Sequence, residues 1–143
     1  MSVARILSQK GRDVVTIPPH FSLSDVVALL AQKGIGAVVV SDSSRSVLGI
    51  VSERDVMRAL AAKGPDVLGE PVSRHMTANV AVVGQGASVP EVMDMMTVGR
   101  FRHVPVVENG KLVGLVSIGD VVKWRVDDIE GEKRALQDYI ATA

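Results

Sequence analysis

Apolar positions along this chain fall into short runs of two periods, and the runs recur in the same order twice. Strand-like runs stand at 13–17 (DVVTI), 36–42 (GAVVVSD) and 46–52 (SVLGIVS), and again at 79–83 (NVAVV), 102–108 (RHVPVVE) and 111–117 (KLVGLVS). Short aliphatic runs bounded by turn residues predict strands. After the first run of each set the spacing becomes helical. Val26, Val27, Leu29 and Leu30 form one apolar face, and Met93, Met95 and Met96 take the matching positions in the second unit as flexible core filler.

The punctuation agrees. Ser22 with Asp25, and Ser88 with Glu91, have the capping-box spacing that opens a helix, and Gly34 supplies a left-handed close. SSRS at 43–46 and NGK at 109–111 turn the hairpins, Asn-Gly being the stronger signal. A second helix starts after Ser52 and after Ser117; Gly64 and Pro65 stop the first of these, and residues 65–71 link the units. Each unit is therefore β-α-β-β-α. Three short strands and two helices cannot bury both sheet faces alone, so the two copies must pack together.

Duplication is visible residue by residue. GIVSERD at 49–55 and GLVSIGD at 114–120 lie 65 residues apart, and five of the ten positions from Gly49 recur identically from Gly114. Beyond the repeat, Val122, Val126, Ile129, Leu136 and Ile140 follow a 4-3 stripe broken by Lys133. That pattern suits a helix buried against a partner, or one folded back over its own domain, and Gly131 weakens the case for an unbroken helix.

Composition narrows the function. The 143 residues are 47% hydrophobic and 22% charged, the signature of a globular chain. Sixteen basic and 16 acidic residues cancel, which removes a bulk pull toward nucleic acid or anionic membrane. Cysteine is absent, excluding disulfides, thiolate metal sites and thiol nucleophiles. The N-terminus has no long apolar core and no run is long enough to span a bilayer, so a soluble cytoplasmic protein is expected.

The repeated Ser-x-x-Asp admits two readings. As a helix cap, the serine oxygen and the carboxylate each take an orphan amide. As a site, a helix N-terminus attracts phosphate, while the two aspartate oxygens match the adjacent hydroxyls of a ribose. Ser52, Asp55 and His103 do not make a convincing hydrolase triad, because the aspartate follows the serine by one helical turn and no nucleophile elbow is present. The histidines at 20, 75 and 103 lack metal-ligand spacing, and the glycines near 34 and 84 lack the third glycine of a dinucleotide turn.

The repeated β-α-β-β-α order, GIVSERD, GLVSIGD and HVPVV together resemble the paired cystathionine-β-synthase (CBS) domains of the Bateman module, over residues 6 to about 126. The resemblance implies an α/β (α+β) fold of two CBS repeats related by a pseudo-twofold axis, with a C-terminal helical extension. Residues 1–66 would form the first repeat with an N-terminal arm, 67–126 the second, and 127–143 the extension. It also implies two clefts that bind adenosine-containing ligands. Cleft one would combine Ile50, Ser52, Arg54 and Asp55 with Asn79, Ala81, Phe101, Arg102 and His103. Cleft two would combine Leu115, Ser117 and Asp120 with Lys10, Arg12, Asp13, Val15, Ile35, Gly36 and Ala37. Because the first has Arg54, Arg102 and His103 where the second has Gly119, Gly36 and Ala37, the clefts are expected to prefer different ligands, AMP foremost and ATP or NAD(H) in the second. The family implies a non-catalytic sensor that signals through a homodimer or a regulated protein, with no nucleic-acid or membrane partner. An adaptor with vestigial clefts is the alternative.

Overall fold

The structure is a computed structural model that describes residues 1–142. The chain runs α1 (Val3–Lys10), β1 (Thr16–Ile17), α2 (Leu23–Lys33), β2 (Ala37–Ser41), β3 (Val47–Ser52), α3 (Glu53–Lys63), α4 (Val89–Gly99), β4 (His103–Glu108), β5 (Lys111–Ser117) and α5 (Ile118–Thr142). Two short 3-10 turns, Pro65–Gly69 and Val72–Arg74, lie between α3 and α4. The duplicated α/β architecture and the C-terminal helix are those expected.

The local signals behave as their chemistry requires. Ser22 and Asp25 form a reciprocal capping box on α2, and Gly34 closes that helix at φ 64°. The β4–β5 turn places Asn109 and Gly110 at φ 52° and 76°, the positive values a tight hairpin turn demands. In the first repeat β1 runs parallel to β2, and β2 pairs antiparallel with β3. In the second only the antiparallel pair β4–β5 forms a sheet.

The strand expected at 79–83 is the clearest departure. It shrinks to one parallel bridge, Val83 with Val106, in which the Val83 amide donates to the Pro105 carbonyl (3.1 Å) and the Val107 amide to the Val83 carbonyl (2.8 Å). One step back along a parallel ladder, the amide of residue 105 would have to donate to the carbonyl of Ala81. Proline has no such amide. At the equivalent place in the first repeat, Val39 donates to the Val15 carbonyl at 3.3 Å and β1 survives.

Two cores form, and each is completed by the segment that precedes the opposite repeat. The first holds Leu23, Val26, Val38, Val40 and Val51 together with Val67 and Val72 of the linker. The second holds Val89, Val92, Val104, Val106 and Val116 together with Val3, Ile6 and Leu7 of α1. Helix α1, which falls in the stretch read as an N-terminal arm, is tied there by the Val3 amide donating to the Ala87 carbonyl (2.9 Å) and the Ala4 amide to that of Gln85 (3.0 Å). The halves also clasp where the Leu112 amide donates to the Arg45 carbonyl (2.9 Å) and the Arg45 guanidinium returns to the Leu112 carbonyl.

Helix α5 passes through Gly131 without interruption. Val121 is buried and Trp124 packs on the second core, but Val122, Val126, Ile129, Leu136 and Ile140 are exposed. The helix therefore does not fold back to cover its own stripe. Among the described residues no helix is long and apolar enough to cross a membrane.

Candidate functional site: two capped helix N-termini and a cleft between the repeats

The two Ser-x-x-Asp motifs sit where strand becomes helix, and both are caps. At α3 the Asp55 amide donates to Ser52 Oγ (3.3 Å), while Asp55 Oδ2 accepts the Ser52 amide (2.8 Å) and hydroxyl (3.0 Å). At α5 the Asp120 amide donates to Ser117 Oγ (3.3 Å), and Asp120 Oδ2 accepts the Ser117 amide (2.9 Å) and hydroxyl (3.0 Å). Capping does not exhaust either carboxylate, since two oxygens offer about four acceptor positions. The first helical amides are also claimed: Glu53 donates to the Gly36 carbonyl (2.9 Å) and Ile118 to that of Arg102 (2.8 Å).

Around the start of α3 a cleft of about 850 Å³ opens between the repeats. All nine residues expected in cleft one line it: Ile50, Ser52, Arg54 and Asp55 from the first repeat, and Asn79, Ala81, Phe101, Arg102 and His103 from the second. Glu53, Met57, Arg58, Thr77, Val80, Gly99, Arg100 and Ile118 line it as well, and so does Gly36, which the sequence reading placed in the other cleft. Arg58 could have been found, for it lies one helical turn beyond Arg54 on α3. Arg100 was hidden because it closes α4 in the left-handed region, φ 56°, a position usually held by glycine.

The electrostatics of this cleft are lopsided. Arg54, Arg58, Arg100 and Arg102 all line it, and none of them enters an ion pair among the described residues. Proline at 105 also leaves the Ala81 carbonyl without a main-chain partner on the cleft wall. Burial holds His103 below its ordinary titration range, and the nearby Lys10 and Arg102 cations push it further down against the opposing pull of Asp120 and Glu53. His103 thus lies within the field of charges at both helix N-termini.

The residues assigned to cleft two are arranged differently. Lys10 Nζ donates to Asp120 Oδ2 at 2.6 Å and to the Leu115 carbonyl at 2.9 Å, so Lys10, Leu115, Ser117 and Asp120 meet directly. Burial alone would raise the Asp120 carboxyl, but the Lys10 ammonium and the Ser117 donors outweigh it and hold the group below the usual range. Arg12 turns instead to Gln85 Oε1 (2.8 Å). The Val15 carbonyl is held by Val39, Ala37 is buried opposite Ser52, and Asp13 is exposed. Ile35 and Gly36 line a shallow groove of about 610 Å³ with Val27, Leu30, Glu53 and Met57.

A duplicated β-α-β-β-α pair with acceptor carboxylates at two helix N-termini defines a class of ligand-binding modules. The family model of the CBS domain matches residues 4–62 and 72–127, and the chain belongs to that family. The structure is similar to a CBS-domain containing protein from Agrobacterium tumefaciens, with 48% identity, a TM-score of 0.84, and coverage of 87% of this chain and 99% of that one. It is also similar to a CBS domain protein from Pyrobaculum aerophilum complexed with AMP, at 29% identity and a TM-score of 0.74, covering 84% and 89% of the two chains. A 17.7 kDa protein of Acidianus ambivalens is 33% identical over 80% of this chain and 68% of its own length. The chain spans only 23% of a CBS domain-containing protein of Arabidopsis thaliana that it matches at 31% identity.

Proposed function

We propose that this CBS pair is a non-catalytic cytoplasmic sensor of phosphorylated adenosine, with AMP bound in the cleft at the start of α3. The carrying observation is that Asp55, whose carboxylate has no cation on it among the described residues, shares one cleft with four arginines that enter no ion pair among them. In this reading Asp55 accepts the ribose hydroxyls, and the arginines and the α3 N-terminus hold the phosphate. The free Ala81 carbonyl and Phe101 receive the base. The AMP complex of the Pyrobaculum protein supports the choice of ligand.

The Asp120 cleft is the second nucleotide site, for ATP or NAD(H). Occupancy is passed to a homodimer interface that includes the exposed stripe of α5, and through it to a regulated protein. Calorimetry with AMP, ADP, ATP and NAD(H) on the parent chain and on Asp55→Ala tests the reading. Loss of AMP binding at the first cleft in Asp55→Ala is expected, leaving only that of the Asp120 cleft. AMP affinity unchanged by that substitution, or no heat with any of these nucleotides, refutes it.

A further inference from the structure

The two carboxylates are capped alike, yet their surroundings differ at one point. Asp55 Oδ2 accepts from the Ser52 amide and hydroxyl only, whereas Asp120 Oδ2 accepts from the Ser117 amide and hydroxyl and from Lys10. The neighbouring carbonyls differ in the same way. That of Ile50 takes the Thr77 amide at 2.9 Å, a neutral main-chain contact, while its counterpart Leu115 takes the Lys10 ammonium at 2.9 Å.

Lys10 is not a loosely placed cation. It is the last residue of α1, whose Ile6 and Leu7 are in the second core, and the chain turns away at once through Gly11, whose amide donates back to the Leu7 carbonyl at 2.8 Å. The ammonium is thereby delivered to the second acceptor carboxylate from a fixed helix end. A ribose gripping Asp120 through both hydroxyls needs both carboxylate oxygens, and one of them already accepts three hydrogens.

We infer that Lys10 sets the ligand class of the second cleft, admitting adenosines that carry a phosphate and disfavouring uncharged nucleosides. The inference rests on the reading that Asp120 accepts a ribose. An incoming nucleotide displaces the ammonium from the carboxylate and offers it a phosphate oxygen within reach of the same side chain, so one charge-assisted hydrogen bond replaces another. An uncharged nucleoside takes Asp120 and gives Lys10 no anion in return. In the first cleft no lysine sits on the acceptor carboxylate, so this way of discriminating, by a cation that must be displaced from the ribose acceptor, belongs to the second alone.

The test uses the Asp55→Ala chain, in which the first cleft is silenced, with AMP and adenosine as probes in calorimetry. AMP is expected to bind about tenfold or more tighter than adenosine, the loss of one charged hydrogen bond. Adding Lys10→Met should tighten adenosine and bring the two affinities together, while Lys10→Arg should keep them apart. Adenosine binding that appears only with Lys10→Met supports the inference equally. An AMP-to-adenosine ratio unchanged by Lys10→Met overturns it, and so does an absence of binding in both backgrounds. If binding to the Asp55→Ala chain survives Asp120→Ala, the ribose reading itself falls, which separates the two failures. Cooperative thermal melts of the Lys10 variants, with midpoints well above the titration temperature, exclude unfolding as the cause.

Discussion

Leu7 occupies the space that a side chain on Gly114 would need: a Cβ built there lies 2.7 Å from both Leu7 methyl carbons. The equivalent glycine of the first repeat, Gly49, is crowded by the linker, with a Cβ 2.6 Å from Met76 Sδ and 2.8 Å from the Thr77 carbonyl oxygen. Each motif glycine thus admits the segment that closes its core. Gly49→Ala must move main chain, because the Ile50 amide donates to that carbonyl at 3.0 Å. It is expected to cost roughly 1–3 kcal/mol, and Gly114→Ala less, since only a side chain must yield. Melting temperatures several degrees lower for Gly49→Ala would show it, and equal melts for parent and variant would refute it.

Pro105 shapes the first cleft by what it withholds. Pro105→Val restores an amide opposite the Ala81 carbonyl, as Val39 provides for Val15. The parallel pairing should then extend, with stability unchanged or slightly higher. AMP affinity should fall by a few-fold to tenfold, the scale of one hydrogen bond. Titration calorimetry measures the second effect and thermal melts the first.

Two groups give stability a defined pH dependence. Because His103 titrates below its unfolded value of 6.5 when folded, the unfolded chain binds the extra proton, and stability falls as pH drops through 6.5 toward the folded value. Asp120 is shifted the same way from 3.8, so its contribution is present above that pH and is lost as pH falls through the lower folded value. His103→Gln should flatten the melting-temperature profile just below pH 6.5. Lys10→Met should leave that limb sloping and weaken the one below 3.8.

The α5 stripe predicts self-association. In an antiparallel pair of helices, Val122 would meet Ile140, Val126 would meet Leu136, and Ile129 would meet Lys133 flanked by Glu130 and Glu132. Leu136→Lys with Ile140→Lys should shift sedimentation toward monomer and leave AMP binding to the single chain intact. An unchanged sedimentation coefficient counts against this face.

Local signals carried most of the fold. The caps at Ser22, Ser52 and Ser117, the left-handed Gly34 and the Asn109-Gly110 turn depend on neighbours within a few residues, and a duplicated pattern reinforces them. The first cleft was legible through the resemblance that the repeated motif carries, which supplied Arg54 and Arg102 but neither Arg58 nor Arg100. What the sequence concealed is contact across the pseudo-symmetry. Lys10 and Asp120 are 110 positions apart, no periodicity announces their pairing, and only the family resemblance set them in one cleft. Pro105 is plainly present in HVPVV, yet its effect is felt at residue 81, on a different segment. Helix α1 is short and makes sense only once the second core exists to receive it.

The exchange of closing segments has a consequence for synthesis. Helix α1 is synthesised well before the surface that buries Leu7 is complete, for that surface includes β5, more than a hundred residues later. Until then its apolar face has no home, and the second core lacks a wall. The residues of α1 should therefore be protease-sensitive on truncated nascent chains and become resistant only when β5 is complete, so that folding of this half is gated by the synthesis of β5.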